Sequence, residues 1–145
     1  TLIGPETKMA YHAFATIVCP LLVSLLAVAE QTASIANISP HEARRRILPI
    51  VRQTLANYER FGPAKSFTGP IIRGDAQTLR MHLRAISRRP AVQDVYKALA
   101  SAALQYLPAG NRKTLSHILR GATPRTAPRS AAGKGRERKR SGRQN

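Results

Sequence analysis

The chain has 145 residues, enough for one domain with a sizeable core, and its 24 Lys and Arg outnumber 7 Asp and Glu to give a net charge of +17. Aromatic residues make up only 5% of the chain and Trp is absent, whereas Ala and Leu supply most of the apolar mass, which favours helices over sheets. The single cysteine excludes an internal disulfide, and no group of Cys and His has the spacing of a zinc site.

An apolar run without charge, residues 13–29, dominates the N-terminal part of the chain. The sequence predicts one helix over about 6–36, kinked at Pro20, because proline removes a backbone hydrogen bond. A buried core helix is the preferred interpretation of the run, and it makes Cys19 an inert buried thiol.

Two alternatives to a core helix stay open for this run. A signal peptide is one, because residues 27–29 read Ala-Val-Ala, although a start at Met9 leaves no basic residue ahead of the run. A single membrane span is the least favoured, since 17 residues is at the short end for crossing a bilayer and Pro20 interrupts them.

The next helix has a strong start signal, because residues 39–42 read Ser-Pro-His-Glu, with Ser at the N-cap, Pro at N1 and Glu at N3 of a capping box. Pro49 predicts a second kink, and Gly62 followed by Pro63 predicts the end of this helix. Apolar residues recur in it at close to helical period, at Ala43, Ile47, Ile50, Leu55, Tyr58 and Phe61.

Residues 63–74 read as a connector with one possible helical turn over 64–67, and Asp75 then predicts the N-cap of a helix of about 12 residues. The buried face of that helix is predicted at Leu79, Leu83 and Ile86, with His82 at its border. Arg80, Arg84 and Arg88 form a separate stripe, for which a solvated face is the preferred interpretation over phosphate contacts.

Pro90 predicts the start of a further helix that ends at Leu107, before Pro108 and Gly110. Residues 111–120 predict a short helix that uses Leu115, Ile118 and Leu119. The core positions predicted for the longer helix are Val92, Val95, Tyr96, Leu99, Ala103 and Tyr106. With no strand pattern anywhere, the sequence predicts an all-α domain of four to five helices.

Two groups of residues could carry chemistry. Lys8 and His12 lie four apart and so share a helix face, where an ammonium and an imidazole can bind an anion or move a proton. In the stretch 66–75, glycines and Pro70 shape the backbone and Arg73 offers a planar fork for phosphate or carboxylate. A solvent-facing first turn and a purely structural connector are the alternatives for the two groups.

Three segments of the chain, 8–30, 39–83 and 95–104, resemble the helical C-terminal domain, a domain of unknown function, of Rossmann-containing proteins. Those proteins are related to the ketopantoate reductase, pyrroline-carboxylate reductase and F420-dependent NADP reductase families. The most specific part of the resemblance is the loop within 66–75, which reads Thr-Gly-Pro and then Arg-Gly-Asp. The second most specific part is the Lys-x-x-Tyr-His sequence that starts at Lys8.

The resemblance implies a helical bundle like the C-terminal domain of 6-phosphogluconate-dehydrogenase-like proteins. It also implies a homodimer in the cytoplasm that does not bind a membrane. The implied partner is an N-terminal Rossmann domain that binds NADP or NAD, whereas these 145 residues carry no cofactor and no metal of their own. A chain that opens on Thr rather than Met fits a processed protein or a fragment that lacks this domain.

The resemblance also assigns roles within the site. It makes Lys8 the candidate catalytic acid or base, with His12 beside it, and places Thr68, Gly69, Pro70 and Arg73 in the substrate cleft. Cys19-Pro20 stands where the family pattern has Ser-Asn. We expect this chain alone to be inactive because it lacks a nucleotide domain. If the Asn of the family pattern contacts substrate in relatives, its loss and the kink also argue against activity with a Rossmann partner.

Residues 109–145 hold 11 basic residues and one acidic residue, net +10. The sequence therefore divides into a helical domain over 1–108, a linker with a possible short helix over 109–121, and a disordered basic tail over 122–145. Such a tail favours polyanions, so non-specific binding of nucleic acid or an anionic surface is the alternative function. Its candidate contacts are Arg136, Arg138, Lys139 and Arg140.

Overall fold

Proline begins five of the helices in the structure, a computed structural model that describes residues 4–121. At the first helical position proline loses no hydrogen bond, and its fixed φ angle favours the helix. The elements are α1 (Pro5–Val18), α2 (Pro20–Ala33), a 3-10 turn (Ser34–Ala36), α3 (Pro40–Ser66), α4 (Pro70–Arg73), α5 (Ala76–Ala85), α6 (Pro90–Tyr106) and α7 (Arg112–Arg120). These described residues contain no strand, which confirms the all-α class.

The number of helices also agrees with the prediction of four to five. Five principal helices remain when α1 and α2 are counted as one bent helix and the single turn of α4 is set aside. The predicted basic tail, 122–145, lies outside the described residues.

The bend between α1 and α2 lies at Cys19 and Pro20, as predicted. The Cys19 N–H still donates to the Ala15 carbonyl at 3.0 Å, but ψ at Cys19 is −77°, and α2 starts afresh at Pro20. The prediction of a buried core helix is wrong within this chain, because α1 and α2 contain no buried residue. The Cys19 thiol is likewise exposed rather than buried.

The physical reason is that α1 has its main contacts with its own continuation, α2, so no second layer of the described helices covers its apolar side chains. Over Pro5–Ala36 the bent helix is long and apolar enough to cross a membrane, with a mean hydropathy of 2.1 in its most apolar window. Length and composition alone meet that criterion, which core helices of soluble proteins and signal sequences also meet.

A tight connection joins α2 to α3. Asn37 adopts a left-handed conformation with φ of 58°, and Ser39 Oγ then accepts the Glu42 N–H at 3.3 Å, as the predicted N-cap requires. Only this half of the predicted capping box forms, because the Glu42 carboxylate binds Arg46 at 2.7 Å and Arg45 at 2.8 Å. The hydrogen bonds from these arginines lower the pKa of Glu42.

α2 and α3 are also linked by a bidentate ion pair, in which Arg44 binds the two Glu30 carboxylate oxygens at 2.8 and 3.3 Å. We call the bent helix α1–α2 together with α3 the hairpin. Away from its α2–α3 connection the predicted core of α3 is wrong: Ala43 is buried and Ile47 half-buried, but the later predicted positions are exposed. They are Ile50, Leu55, Tyr58 and Phe61. The backbone keeps helical angles through Pro49 and leaves them at Gly62, with φ of 71° and ψ of 175°.

The core lies at the other end of the chain, where α5, α6 and α7 meet. Its buried members are Leu79, Ala100, Leu115 and Leu119, with Ile71, Leu83, Tyr96 and Ile118 among the side chains packed against them. The predicted buried faces of α5 and α7 are therefore confirmed. On α6, Val92 and Ala103 are buried as predicted, whereas Leu99 and Tyr106 are exposed.

Candidate functional site

The stretch 66–75 folds into a single helical turn, α4, with a glycine at each end. Gly69, with φ of 102° and ψ of −165°, turns the chain so that Pro70 can begin α4. Gly74, with φ of 71°, ends α4 in the left-handed conformation, which glycine adopts without strain. Pro70 thus starts a helix, a role that the sequence prediction of a stiffened loop missed.

Asp75 holds the end of this turn against α5. Its Oδ1 accepts the Thr78 N–H at 2.9 Å and its Oδ2 accepts the Thr78 hydroxyl at 2.7 Å, which confirms the predicted N-cap. These hydrogen bonds, from the Thr78 backbone first and its side chain second, lower the pKa of the Asp75 carboxyl. The carboxylate is therefore occupied as a cap and is not free for acid–base work.

A cavity of about 370 Å³ lies between this turn, α5 and α6, and we call it the turn pocket. Thr68 and Pro70 line it, as two of the residues predicted for a substrate cleft. Gly69 and Arg73 belong to the same stretch but are not among its lining residues. The complete lining is Thr68, Pro70, Ile71, His82, Tyr96, Leu99 and Ala100.

The polar centre of the turn pocket is a hydrogen-bonded pair, His82 on α5 and Tyr96 on α6. The His82 Nδ1 atom lies 2.9 Å from the Tyr96 hydroxyl oxygen, and the two rings meet edge to face with centroids 6.0 Å apart. Tyr96 is half-buried, and burial raises the pKa of its phenol. This pair can donate one hydrogen bond to a ligand and accept one from it.

Sequence reasoning did not single out this pair as a site. It placed His82 at the border of an apolar face and Tyr96 in the core, which describes each helix correctly by itself. The two residues lie 14 positions apart on different helices, so only the packing of α5 on α6 brings them together. Neither residue therefore has a local sequence signal for a site.

Lys8 and His12, the predicted catalytic residues, lie on α1, and neither lines the turn pocket. Both are exposed, and within residues 4–121 neither side chain has a hydrogen bond or an ion pair. The structure therefore unites Thr68 and Pro70 with His82 and Tyr96 rather than with this pair.

Two further cavities, of about 440 and 540 Å³, continue from the turn pocket along α6 toward α2. The first shares His82, Tyr96 and Leu99 with the turn pocket, and the second shares Leu99 with both. Their walls are mostly apolar side chains of α2 and α6, with further residues from α5 in the first cavity and from α1 in the second. Together the three cavities form one largely apolar groove, and the His82–Tyr96 pair lies where the turn pocket meets the first of the other two cavities.

Residues 4–121 contain neither a cluster of metal-ligand side chains nor the elements of a Rossmann-type nucleotide site. Over 4–121 no group of three or more His, Cys, Asp or Glu side chains is placed to hold a metal ion. The same residues include no strand and no Gly-x-Gly-x-x-Gly sequence, from which a nicotinamide dinucleotide site of the Rossmann type is built. The arrangement is suited instead to binding a small, mostly apolar molecule.

Residues 1–103 match the family model described as "Domain of unknown function (DUF2520)". The chain belongs to this family. Comparisons with the curated proteins and with the solved structures found no match.

The match to the DUF2520 family covers α1 to α5 and most of α6, and so includes every residue that lines the turn pocket. It ends before α7, although α7 supplies Leu115, which has no exposed surface, and Leu119, which is 7% exposed. The folded unit of this chain therefore extends past the matched residues to the end of α7.

Proposed function

We propose that this DUF2520 domain is the helical C-terminal half of an NAD(P)-dependent oxidoreductase. It contributes part of the substrate cleft and the dimer contacts, while a Rossmann domain outside these 145 residues binds the nucleotide. The proposal is supported by family membership, by the resemblance carried by Lys8 and the stretch 66–75, and by the cavity next to that stretch. The cytoplasm is the proposed location.

The observation that carries the proposal is the amount of apolar surface on α1, α2 and α3 that the described part of the chain leaves exposed. Phe14 is 59% exposed, Ile17 64% and Tyr58 57%, and such side chains recur along both halves of the hairpin. Soluble monomers rarely expose so much contiguous apolar area, and surfaces of this kind mark protein or membrane contacts. The other exposed members are Met9, Tyr11, Val18, Leu21, Val23, Leu25, Leu48, Ile50, Leu55 and Phe61.

We propose that a second copy of the chain and the nucleotide-binding domain bury this apolar surface. Obligate interfaces between identical chains are more apolar than other protein surfaces and resemble a core divided in two, which is the character of this hairpin. The hairpin also carries few charges along α1 and α2, where only Glu6, Lys8 and Glu30 occur. Burial of this surface in a dimer therefore leaves few charged groups without water.

The oligomeric state tests this proposal directly. Sedimentation velocity of the full chain without detergent should give a dimer, and Ile17→Glu should dissociate it because a carboxylate would be buried in the interface. Gln53→Glu, a matched change at an exposed polar position of α3, should leave the dimer intact. A chain that stays monomeric at high concentration, or that dissolves only in detergent, contradicts the proposed dimer.

Spin labels on Cys19 sharpen the test, because this exposed thiol at the bend is the only cysteine in the sequence. A dimer through the bent helices should give one defined distance between the two labels. NADPH should give no binding signal with the chain alone, and the coding sequence upstream of Thr1 should specify a βαβ unit with a glycine-rich turn. An upstream promoter in its place would contradict the proposal.

A catalytic role for Lys8 belongs to the same proposal. In the enzyme with both domains, Lys8→Met should lower kcat by about 10²- to 10⁴-fold, the range for a general acid or base. Because Lys8 is exposed on α1, the unfolding midpoint should not change. His12→Asn should have a smaller effect. Full activity of the Lys8→Met enzyme would remove Lys8 from the mechanism.

A second candidate function is favoured by the net charge of +10 over residues 109–145. Binding of nucleic acid through Arg136, Arg138, Lys139 and Arg140 would fall steeply with added salt. These residues lie outside the described part of the chain. Truncation after Gly121 should abolish such binding and keep α7 in place, and equal binding by the truncated chain would contradict this function.

A further inference from the structure

We propose that the turn pocket binds a small neutral molecule with an apolar body and one hydrogen-bonding oxygen, which the His82–Tyr96 pair recognises. The proposal names the ligand class of the cleft described above and in that respect rests on the proposed function. It assigns recognition to two residues that neither the family match nor the sequence prediction placed in a site.

The apolar part of the ligand follows from the walls. Pro70, Ile71, Leu99 and Ala100 supply most of the lining, and a cavity of about 370 Å³ falls within the range of small-molecule sites. A ligand placed there gains binding free energy mainly from the apolar surface that it removes from water. The remaining lining residues, Thr68, His82 and Tyr96, are the only ones with polar side-chain atoms.

The single oxygen follows from the hydrogen-bonding capacity of the pair. If the Tyr96 hydroxyl donates to His82 Nδ1, the other ring nitrogen carries a proton and donates outward, while the phenol oxygen still accepts. If Nδ1–H donates to the phenol oxygen instead, the hydroxyl donates outward and the other ring nitrogen accepts. In both neutral forms the pair keeps one free donor and one free acceptor, which suits a ketone, an amide or an alcohol.

The neutrality of the ligand follows from the charges around the pocket. No Lys or Arg side chain is among the lining residues, and Arg73, the predicted anion contact in the stretch 66–75, is not one of them. A carboxylate in the pocket would lose hydration without gaining an ion pair, which is costly. Burial raises the pKa of the Tyr96 phenol, which agrees with a site that disfavours negative charge.

Three probes of similar shape separate these contributions: acetophenone with a carbonyl oxygen, benzoate with a carboxylate, and ethylbenzene with neither. Each is titrated into the full chain, and methyl NMR signals of Ile71, Leu99 and Ala100 report on the pocket. Acetophenone should shift these signals with the highest affinity of the three. Stronger binding of benzoate or ethylbenzene, or no binding of any probe, would overturn the proposal.

Variants test whether the His82–Tyr96 pair causes the preference for acetophenone. Tyr96→Phe keeps the ring and removes the hydroxyl, and it should weaken acetophenone binding about three- to tenfold, as expected for one hydrogen bond. His82→Leu, at an exposed position, should do the same, and neither change should weaken ethylbenzene binding. Tyr106→Phe on the same helix, outside the pocket, is the matched control and should bind like the native chain.

Unchanged affinity for acetophenone in both Tyr96→Phe and His82→Leu would reduce the site to a plain apolar groove and overturn the proposal. The titration needs no nucleotide and no second domain, so its failure leaves the oxidoreductase proposal standing. Conversely, a monomeric chain without an upstream nucleotide-binding domain would refute that proposal and leave the probe affinities unaffected.

Discussion

Gly74 and Gly110 approach each other backbone to backbone, which ties the turn that ends α4 to the linker between α6 and α7. The Gly110 N–H donates to the Ile72 carbonyl at 3.0 Å. A Cβ atom added at Gly74 would lie 2.8 Å from the Gly110 carbonyl carbon, and one at Gly110 would lie 3.1 Å from the Gly74 nitrogen. Glycine at both positions therefore allows the end of α4, beside the turn pocket, to pack closely against the linker between α6 and α7.

Alanine at either position should destabilise the fold. We expect Gly74→Ala to cost about 2–4 kcal/mol, because it adds a backbone clash to the strain of a left-handed conformation. Gly110→Ala adds only the clash, since its φ is not positive, and should cost about 1–3 kcal/mol. Urea unfolding followed by circular dichroism measures both changes.

Gly4→Ala is the control for these two variants, because an added Cβ meets nothing within 4 Å at Gly4 and φ there is −61°. Its free energy of unfolding should stay within about 0.5 kcal/mol of that of the native chain. Because Gly74 and Gly110 form one contact, the cost of the double variant should be less than the two single costs combined. Full additivity would show that the two glycines do not share a contact in solution.

α7 should be essential to the stability of the domain. Leu115 has no exposed surface and packs against Leu79, Ala100 and Leu119, so Leu115→Ala should cost about 2–5 kcal/mol. Met81→Ala on α5 removes a side chain of similar size that is 58% exposed, and should have little effect. The midpoints of thermal unfolding of the two variants and of the native chain measure this difference.

Two truncations extend this prediction to the end of the domain. Removal of residues after Gly110 deletes Leu115 and Leu119 from the core and should abolish cooperative unfolding, whereas removal after Gly121 should leave the midpoint unchanged. If the shorter chain unfolds like the native one, α7 is dispensable. A test of the basic tail must therefore cut after Gly121.

The Asp75 cap should make stability depend on pH in the acidic range. Hydrogen bonds from Thr78 hold the pKa of Asp75 below its ordinary value of 3.8, so the carboxylate form is favoured by folding. The stabilisation is complete above pH 3.8 and is lost as the pH falls through the lower pKa of the folded state. Urea midpoints measured downward from neutral pH should show this loss.

Asp75→Asn separates the charge from the cap, because asparagine is an equally good N-cap residue but does not titrate. This variant should unfold with a weaker dependence on acidic pH than the native chain. The remaining dependence should come largely from Glu42, whose pKa is also lowered. An identical pH profile in the native chain and the variant would show that Asp75 contributes nothing to it.

Local signals in the sequence predicted the helix starts, because caps and prolines act on their own neighbours. Ser39, Asp75 and Pro90 each begin a helix, or cap one, as predicted. Burial could not be predicted in the same way. Phe14 and Tyr58 have the spacing of core residues, yet no element within residues 4–121 covers them, since periodicity shows that a face is apolar but not what lies against it.

The candidate site was predictable only in part for the same reason. The family resemblance placed Thr68 and Pro70 in a cleft, and both line the turn pocket. His82 and Tyr96 have no local signal, because their hydrogen bond exists only through the packing of α5 on α6. Lys8 and His12 share a helix face, but a shared face did not bring them to the pocket.

Cys19 reports on whether the bent helix is covered in solution. Its thiol is exposed in the single chain, so a disulfide reagent should modify it in the dilute protein at a rate close to that of the urea-unfolded chain. If a second copy covers α1 and α2, the rate should fall as the protein concentration rises. The Ile17→Glu variant should stay reactive at every concentration, since it cannot form the contact. Slow modification of both the dilute native protein and Ile17→Glu would mean that a single chain buries this thiol. It would contradict the exposure of α1 in the structure.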